Sequence, residues 1–213
     1  MPPIIIYDVF AFFKSFLQII ISHRVFLTFG LTKTKKNAII DARNNEGDTK
    51  MKAIVYTSYT GHTERYAKLL GKQTGLPVFY LDEAITVLPR GTKIVYMGWL
   101  FANNVKDYKR AAKRFDVCAV CAVGLCDTGA LTVEARRAIS LPDDIPLFTM
   151  QGGIDRTRLK GIYKFMINAL TKSVANKKNP TDDDKRMLEL LTQDTDYVCA
   201  ENTRAFMEWF EAR

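Results

Sequence analysis

The amino-acid sequence predicts an α/β fold, a three-layer doubly wound sandwich around a five-stranded parallel sheet, with an extra helical insertion before the last helix. Two observations carry this expectation. From Met51 onward, short β-branched apolar runs alternate with stretches of helical periodicity. Those runs, such as "AIVY", "IVYMG" and "VCAVCAVG", are apolar nearly throughout, the pattern of strands buried on both faces of a sheet. Right-handed crossovers between such strands leave the doubly wound sandwich as the economical topology.

In order, residues 52–57 read as a first strand and 63–74 as a first helix. Gly75 and Pro77 punctuate the entry to a second strand, 77–81. The turn "PRGTK" leads into a third strand, 94–98. Residues 105–115 ("VKDYKRAAKRF") read as a basic amphipathic helix, 117–124 as a fourth strand, 131–139 as a helix and 146–150 as a fifth strand. Beyond it, Leu159, Ile162, Tyr163, Met166, Leu170 and Val174 recur at helical spacing opposite Lys160, Lys164, Asn168 and Lys172. Asn179-Pro180-Thr181 ends that helix, and Thr181 with the acidic run Asp182, Asp183 and Asp184 starts the next. The last helix is expected over 197–211.

Of the 213 residues, 47% are hydrophobic and 25% charged, which suits one globular domain with additions. A core of that size needs neither disulfides nor a metal. Cys118, Cys121, Cys126 and Cys199 follow no cleavable leader, so they read as reduced thiols in a cytoplasmic protein. The net charge of +8 is compatible with acidic ligands or an anionic membrane surface. Nucleic acid is not expected as a partner, because no basic run is interleaved with aromatics.

Residues 1–50 read as an extension outside the working domain. Their apolar run is interrupted by Asp8, Lys14, His23 and Arg24, leaving no charge-free stretch near the roughly 20 residues a bilayer span needs. Glu46-Gly47-Asp48 can be encoded by a ribosome-binding sequence placed suitably before Met51. The expectation is therefore an upstream stretch read in frame, with an amphipathic membrane-associating segment as the alternative. Residues 51–213 are expected to form the domain.

The chemistry concentrates in "TSYTGHT", residues 57–63, between the first strand and the first helix. Amides at a helix N-terminus and its dipole favour an anion. The hydroxyls of Thr57, Ser58, Thr60 and Thr63 add donors that can converge on one tetrahedral group. A nucleotide P-loop needs lysine where this turn has Gly61-His62-Thr63, and a dinucleotide fingerprint needs three spaced glycines where only Gly61 is present. A phosphatase of this topology needs a cysteine in the turn, and none is there. A terminal phosphate that is held and not transferred fits best, against a plain Ser/Thr-rich helix cap with no ligand.

Ser58-Tyr59-Thr60-Gly61-His62-Thr63 resembles the S/T-x-T-G-x-T phosphate loop of the flavodoxin family, in the same strand–loop–helix context. The resemblance covers residues 51–213 and implies a flavodoxin-like fold with strand order 2-1-3-4-5 and FMN at the carboxyl ends of the strands. It also implies two ring-binding loops after the third and fourth strands. Here these are "GWLFANN", with Gly98, Trp99, Leu100 and Phe101, and "GLCDTGA", with Gly124, Leu125, Cys126 and Asp127. Trp99 is the expected ring contact, with a core aromatic as the alternative. The second loop lacks the tyrosine that many flavodoxins stack on the ring, and the chain is basic where electron carriers are usually acidic. Both departures favour an enzyme over a pure carrier.

"QGGIDRTRLKGIYKFMINALTK", through Tyr163-Lys164-Phe165-Met166-Ile167, resembles the segment after the fifth strand in flavodoxin-like, quinone-linked protoporphyrinogen IX dehydrogenases. That resemblance implies a quinone or redox-protein partner and peripheral contact with the inner face of a membrane through 156–178, where Lys160, Lys164 and Lys172 would meet headgroups or substrate propionates. The alternative for this helix is a basic face exposed to solvent. The function expected is an FMN-dependent oxidoreductase of that kind. The alternatives are an electron-transfer flavodoxin serving a partner enzyme and a non-enzymatic flavodoxin-fold protein. No catalytic side chain is assigned and no metal is expected. Cys118 and Cys121 form C-x-x-C but lie within a strand, where residues three apart face opposite sides. Cys126 is set apart by its place in a ring loop. His62 reads equally as a phosphate contact and as a solvent-facing residue.

Overall fold

The computed structural model describes residues 50–213, so the expectations for the N-terminal extension lie outside the described residues. β1 (Ala53–Tyr56) is followed by α1 (His62–Thr74), β2 (Val78–Tyr80), α2 (Leu81–Val87), β3 (Lys93–Phe101) and β4 (Asn104–Val105). Then come α3 (Tyr108–Ala112), β5 (Asp116–Gly124), α4 (Thr132–Ile139), β6 (Leu147–Gln151) and β7 (Gly153–Ile154). After α5 (Gly161–Ala175) and α6 (Asp182–Thr192), β8 (Thr195–Asp196) leads through a 3-10 turn to α7 (Arg204–Glu211).

The main sheet has the order β2-β1-β3-β5-β6, with every neighbouring pair parallel. This is a doubly wound α/β arrangement compatible with a flavodoxin-like fold. Alternate residues of its strands feed two cores. Val55, Tyr96, Val120 and Ala122 lie in one, and Ile54, Val95, Met97, Cys121 and Val123 in the other. Each fully buried large apolar side chain contributes about 1.5–3 kcal/mol, so a slip of one residue in any central strand would exchange the two cores.

Four local expectations are corrected. The third strand does not stop at Gly98; it runs to Phe101 and folds back on β4, pairing Leu100 with Val105 and Phe101 with Asn104. The turn between them is Ala102-Asn103, both with positive φ (49° and 60°), the two-residue type I′ geometry that matches strand twist. The basic helix consequently shrinks to Tyr108–Ala112, because Val105 is used as a strand partner and Asp107 adopts φ 57°. In β5 the register with β3 shifts between Val117 and Ala119, inserting Cys118 as an extra residue. Cys118 therefore packs against the same core as Cys121, not the opposite one. Finally, the last helix does not begin at Tyr197. Thr195 and Asp196 pair with Ile154 and Gly153 as strand, and the Asp196 carboxylate accepts the Val198 amide at 3.2 Å.

The described residues divide into two compact units, with Asp155–Asp194 apart from the sheet-containing unit. Within that smaller unit, Leu159 is buried just before α5, Met166 and Val174 along it, and Leu190 and Leu191 along α6. Thr181 caps α6 as expected: its hydroxyl accepts from Asp184 N–H at 3.2 Å, and Asp184 Oδ2 accepts from Thr181 N–H at 3.0 Å. Among the described residues, no helix is long and apolar enough to cross a membrane.

Candidate functional site

The loop after β1 turns sharply because Gly61 takes φ 103°, in the left-handed region where a side chain costs about 1–2 kcal/mol. The ladder of α1 starts with Arg65 N–H donating to Gly61 O at 3.0 Å, so the helix itself offers no acceptor to the amides of Thr63 and Glu64. Ser58 Oγ accepts from Gly61 N–H at 3.1 Å, and Thr60 Oγ1 lies 3.2 Å from His62 Nδ1. The Thr63 side chain is buried at the start of the helix. These amides and hydroxyls form a donor set that fits a bound phosphate.

Thr57 does something different from its neighbours. It is buried, with its hydroxyl 3.0 Å from Tyr96 Oη and 3.3 Å from Lys106 O. Tyr96 Oη donates to the same carbonyl at 2.6 Å. Burial pushes the Tyr96 phenol pKa well up, so the ring stays protonated and remains a donor. These three groups fasten the end of β1 to the chain emerging from the β3–β4 hairpin.

The hairpin puts the sequence-predicted ring residues on two sides of one strand. Trp99 and Phe101 share a face and meet edge to face, with ring centroids 5.6 Å apart. Trp99 also stacks on Tyr59 of the loop after β1 at 5.7 Å and 29°. Leu100 points the other way, against the core beneath Gly124, where an added Cβ would lie 3.1 Å from Leu100 Cδ1. Gly98 is needed for the fold-back itself, since a Cβ there would meet Val105 Cγ1 at 2.7 Å and Lys106 O at 2.8 Å.

The third segment, 124–130, is tied to the end of β6. Gly152 N–H donates to Gly124 O at 2.7 Å, and Gln151 Nε2 donates to Leu125 O at 3.3 Å. Cys126 is half-buried and Asp127 exposed, with Asp127 O accepting from Ala130 N–H at 3.0 Å.

His62 joins this segment to the loop after β1. Contrary to a solvent-facing reading it is buried, and it packs on the glycine pair that follows β6. A Cβ on Gly152 would stand 3.3 Å from His62 Cβ, and one on Gly153 would stand 2.8 Å from His62 Nε2. Nε2 also lies 4.0 Å from Asp196, which is ion-paired with Arg65. All three loops expected from the sequence thus stand at the carboxyl end of the sheet, joined through Tyr59–Trp99 and through His62–Gly152.

Residues that sequence reasoning missed are Tyr96, Gly152, Gly153, Asp196 and Asn202. The Gly152-Gly153 pair after an apolar run was the visible signal for a close approach. Asp196 and Asn202 carried none, because they lie more than 130 residues along the chain from Arg65 and Tyr66, which they bind. No group of three or more His, Cys, Asp or Glu is placed to hold a metal among the described residues. The chain matches no family model, no curated protein and no solved structure.

Proposed function

We propose that this domain binds FMN and works as a flavin-dependent oxidoreductase. The supporting observation is the joining of a neutral anion loop to an aromatic shelf at the carboxyl end of a doubly wound sheet. In this reading, the amides of 62–64 and the hydroxyls of Ser58, Thr60 and Thr63 hold the phosphate, while the Gly61 amide is spent on Ser58 Oγ within the turn. Tyr59, Trp99 and Phe101 offer their faces and edges to the ring, and 124–127 borders it. Bound FMN supplies the electron-accepting chemistry, while these residues orient it and set access. Thr57 contributes by fixing the loop, since its hydroxyl is bonded internally.

The quinone-linked protoporphyrinogen dehydrogenase reading is the specific form proposed. It is supported by the resemblance of 151–172 and by the α5 surface, where Lys160, Lys164 and Lys172 are exposed and Phe165 is 60% exposed. Such a stripe suits peripheral contact with an anionic bilayer. Purified full-length chain should release FMN on denaturation and rebind it stoichiometrically. A colourless protein that ignores added FMN would overturn the proposal. Turnover of a porphyrinogen with a quinone then tests the enzyme, and bound FMN without turnover would indicate an electron carrier. Cosedimentation with anionic vesicles, abolished in K160E/K164E, tests the membrane contact.

A further inference from the structure

Among the described residues the main sheet ends on β6, and two backbone groups of this edge strand are taken up by the segment that follows β5. Gln151 N–H donates to the Thr128 hydroxyl at 2.9 Å, and Thr149 O accepts from Gly129 N–H at 3.1 Å. The single proton of the Thr128 hydroxyl goes to Asn202 Oδ1 at 2.7 Å. Asn202 Nδ2 donates to the Tyr66 phenol and to Tyr197 O, both at 2.8 Å. The amide cannot turn over without losing both bonds, so Oδ1 is committed to Thr128. Tyr66 closes the circuit by donating to Gln151 O at 2.6 Å.

We propose that Thr128 is a positioning residue for the ring-side segment of the site, fastening 124–130 to the sheet edge and to the C-terminal chain through Asn202. The observations select it over its neighbours. Its side chain is exposed, so packing does not explain it, yet its hydroxyl is engaged both as donor and as acceptor. Leu125, Cys126 and Asp127 lie on the arc between this pin and the Gly124–Gly152 bond. That arc is what would border the ring, so the pin sets the distance between the arc and the flavin. This role rests on the FMN reading above.

The test compares T128V, which removes the hydroxyl, with T128S, which keeps it, in the full chain. FMN and riboflavin are titrated while flavin fluorescence and the visible spectrum are followed. T128V should weaken both ligands by a similar factor, about 3- to 10-fold, and alter the spectrum of the bound flavin. T128S should restore both, and N202A should behave as T128V. T128V within twofold of the wild type with an unchanged spectrum would overturn the role, as would a loss confined to FMN, which would place the effect at the phosphate. If the wild type binds no flavin, the FMN reading fails by itself. Amide exchange then decides the pin: Gly129 and Gln151 should exchange at least about tenfold faster in T128V but not in T128S. Unchanged exchange would overturn it.

Discussion

The ring of Tyr59, in the loop after β1, stacks on that of Trp99 on β3 at 5.7 Å and 29°. One aromatic pair therefore links the segment proposed to hold a phosphate to the strand proposed to meet a ring. The chain has two tryptophans, and the second, Trp209, belongs to the core cluster around Phe206. Adding FMN should quench the emission of Trp99 selectively. W209F should retain most of the quenching and W99F should lose it. W99A should also weaken FMN about tenfold, in keeping with an aromatic contact of about 1 kcal/mol beyond its area. Equal quenching in both single variants would place the flavin elsewhere.

Thr57, Tyr96 and Lys106 O act as one fastening, so their energies should not add. T57V and Y96F are each expected to cost about 1–2 kcal/mol in urea unfolding, from buried bonds left unmade. The double variant should cost less than the sum, with a coupling of about 0.5–1.5 kcal/mol. Coupling below about 0.3 kcal/mol would mean that the two hydroxyls serve the hairpin independently.

Gly153 sits where backbone meets backbone. A Cβ there would fall 2.0 Å from Thr195 O, which cannot swing aside as a side chain could. G153A should therefore destabilise the fold by about 2–3 kcal/mol, the upper part of the range for overpacking. It should also move the His62 ring, whose Nε2 is the nearest side-chain atom at 2.8 Å, and the histidine NMR resonances would register this. An unshifted urea midpoint would show that β7 and β8 separate freely.

The acid limb of stability has a named contributor in the smaller unit. Lys177 Nζ reaches Asp184 Oδ1 at 2.5 Å and, with the Thr181 amide next in importance, holds the Asp184 carboxyl below its ordinary value. A depressed folded-state pKa means stabilisation that is fully present above the ordinary Asp value of about 3.8 and lost as pH falls through the folded one. Amide exchange in α6 should accelerate as pH drops below 4, after correction for intrinsic rates. D184N should show that faster exchange already at pH 7, with a flatter acid response. T181A should cost about 1 kcal/mol as a lost cap.

The parallel strands and the turn into α1 were legible because their signals are local. Apolar runs show buried strands, and hydroxyls around Gly61 mark a helix start. The cap at Thr181 was legible for the same reason. The β3–β4 hairpin was hidden because Ala102-Asn103 lacks the glycine that usually announces a type I′ turn, and "GWLFANN" therefore resembled a loop. The bulge at Cys118 was hidden because an inserted residue leaves composition unchanged. Asn202 and Asp196 were hidden because their partners become neighbours only once the C-terminal chain returns to the sheet.

The turn at Ala102-Asn103 also constrains how this protein can change over time. Leu100–Val105 and Phe101–Asn104 face each other across only two residues. Trp99 is held against Val123 of β5, so gaining or losing one residue in β3 just before the turn would slip β4 by one and move Val105 from the face of Leu100 to that of Phe101. Tolerated length changes in this strand should therefore come in pairs. Descendants of this chain would be expected to differ here by even numbers, while varying the identities of residues 102 and 103 much more freely.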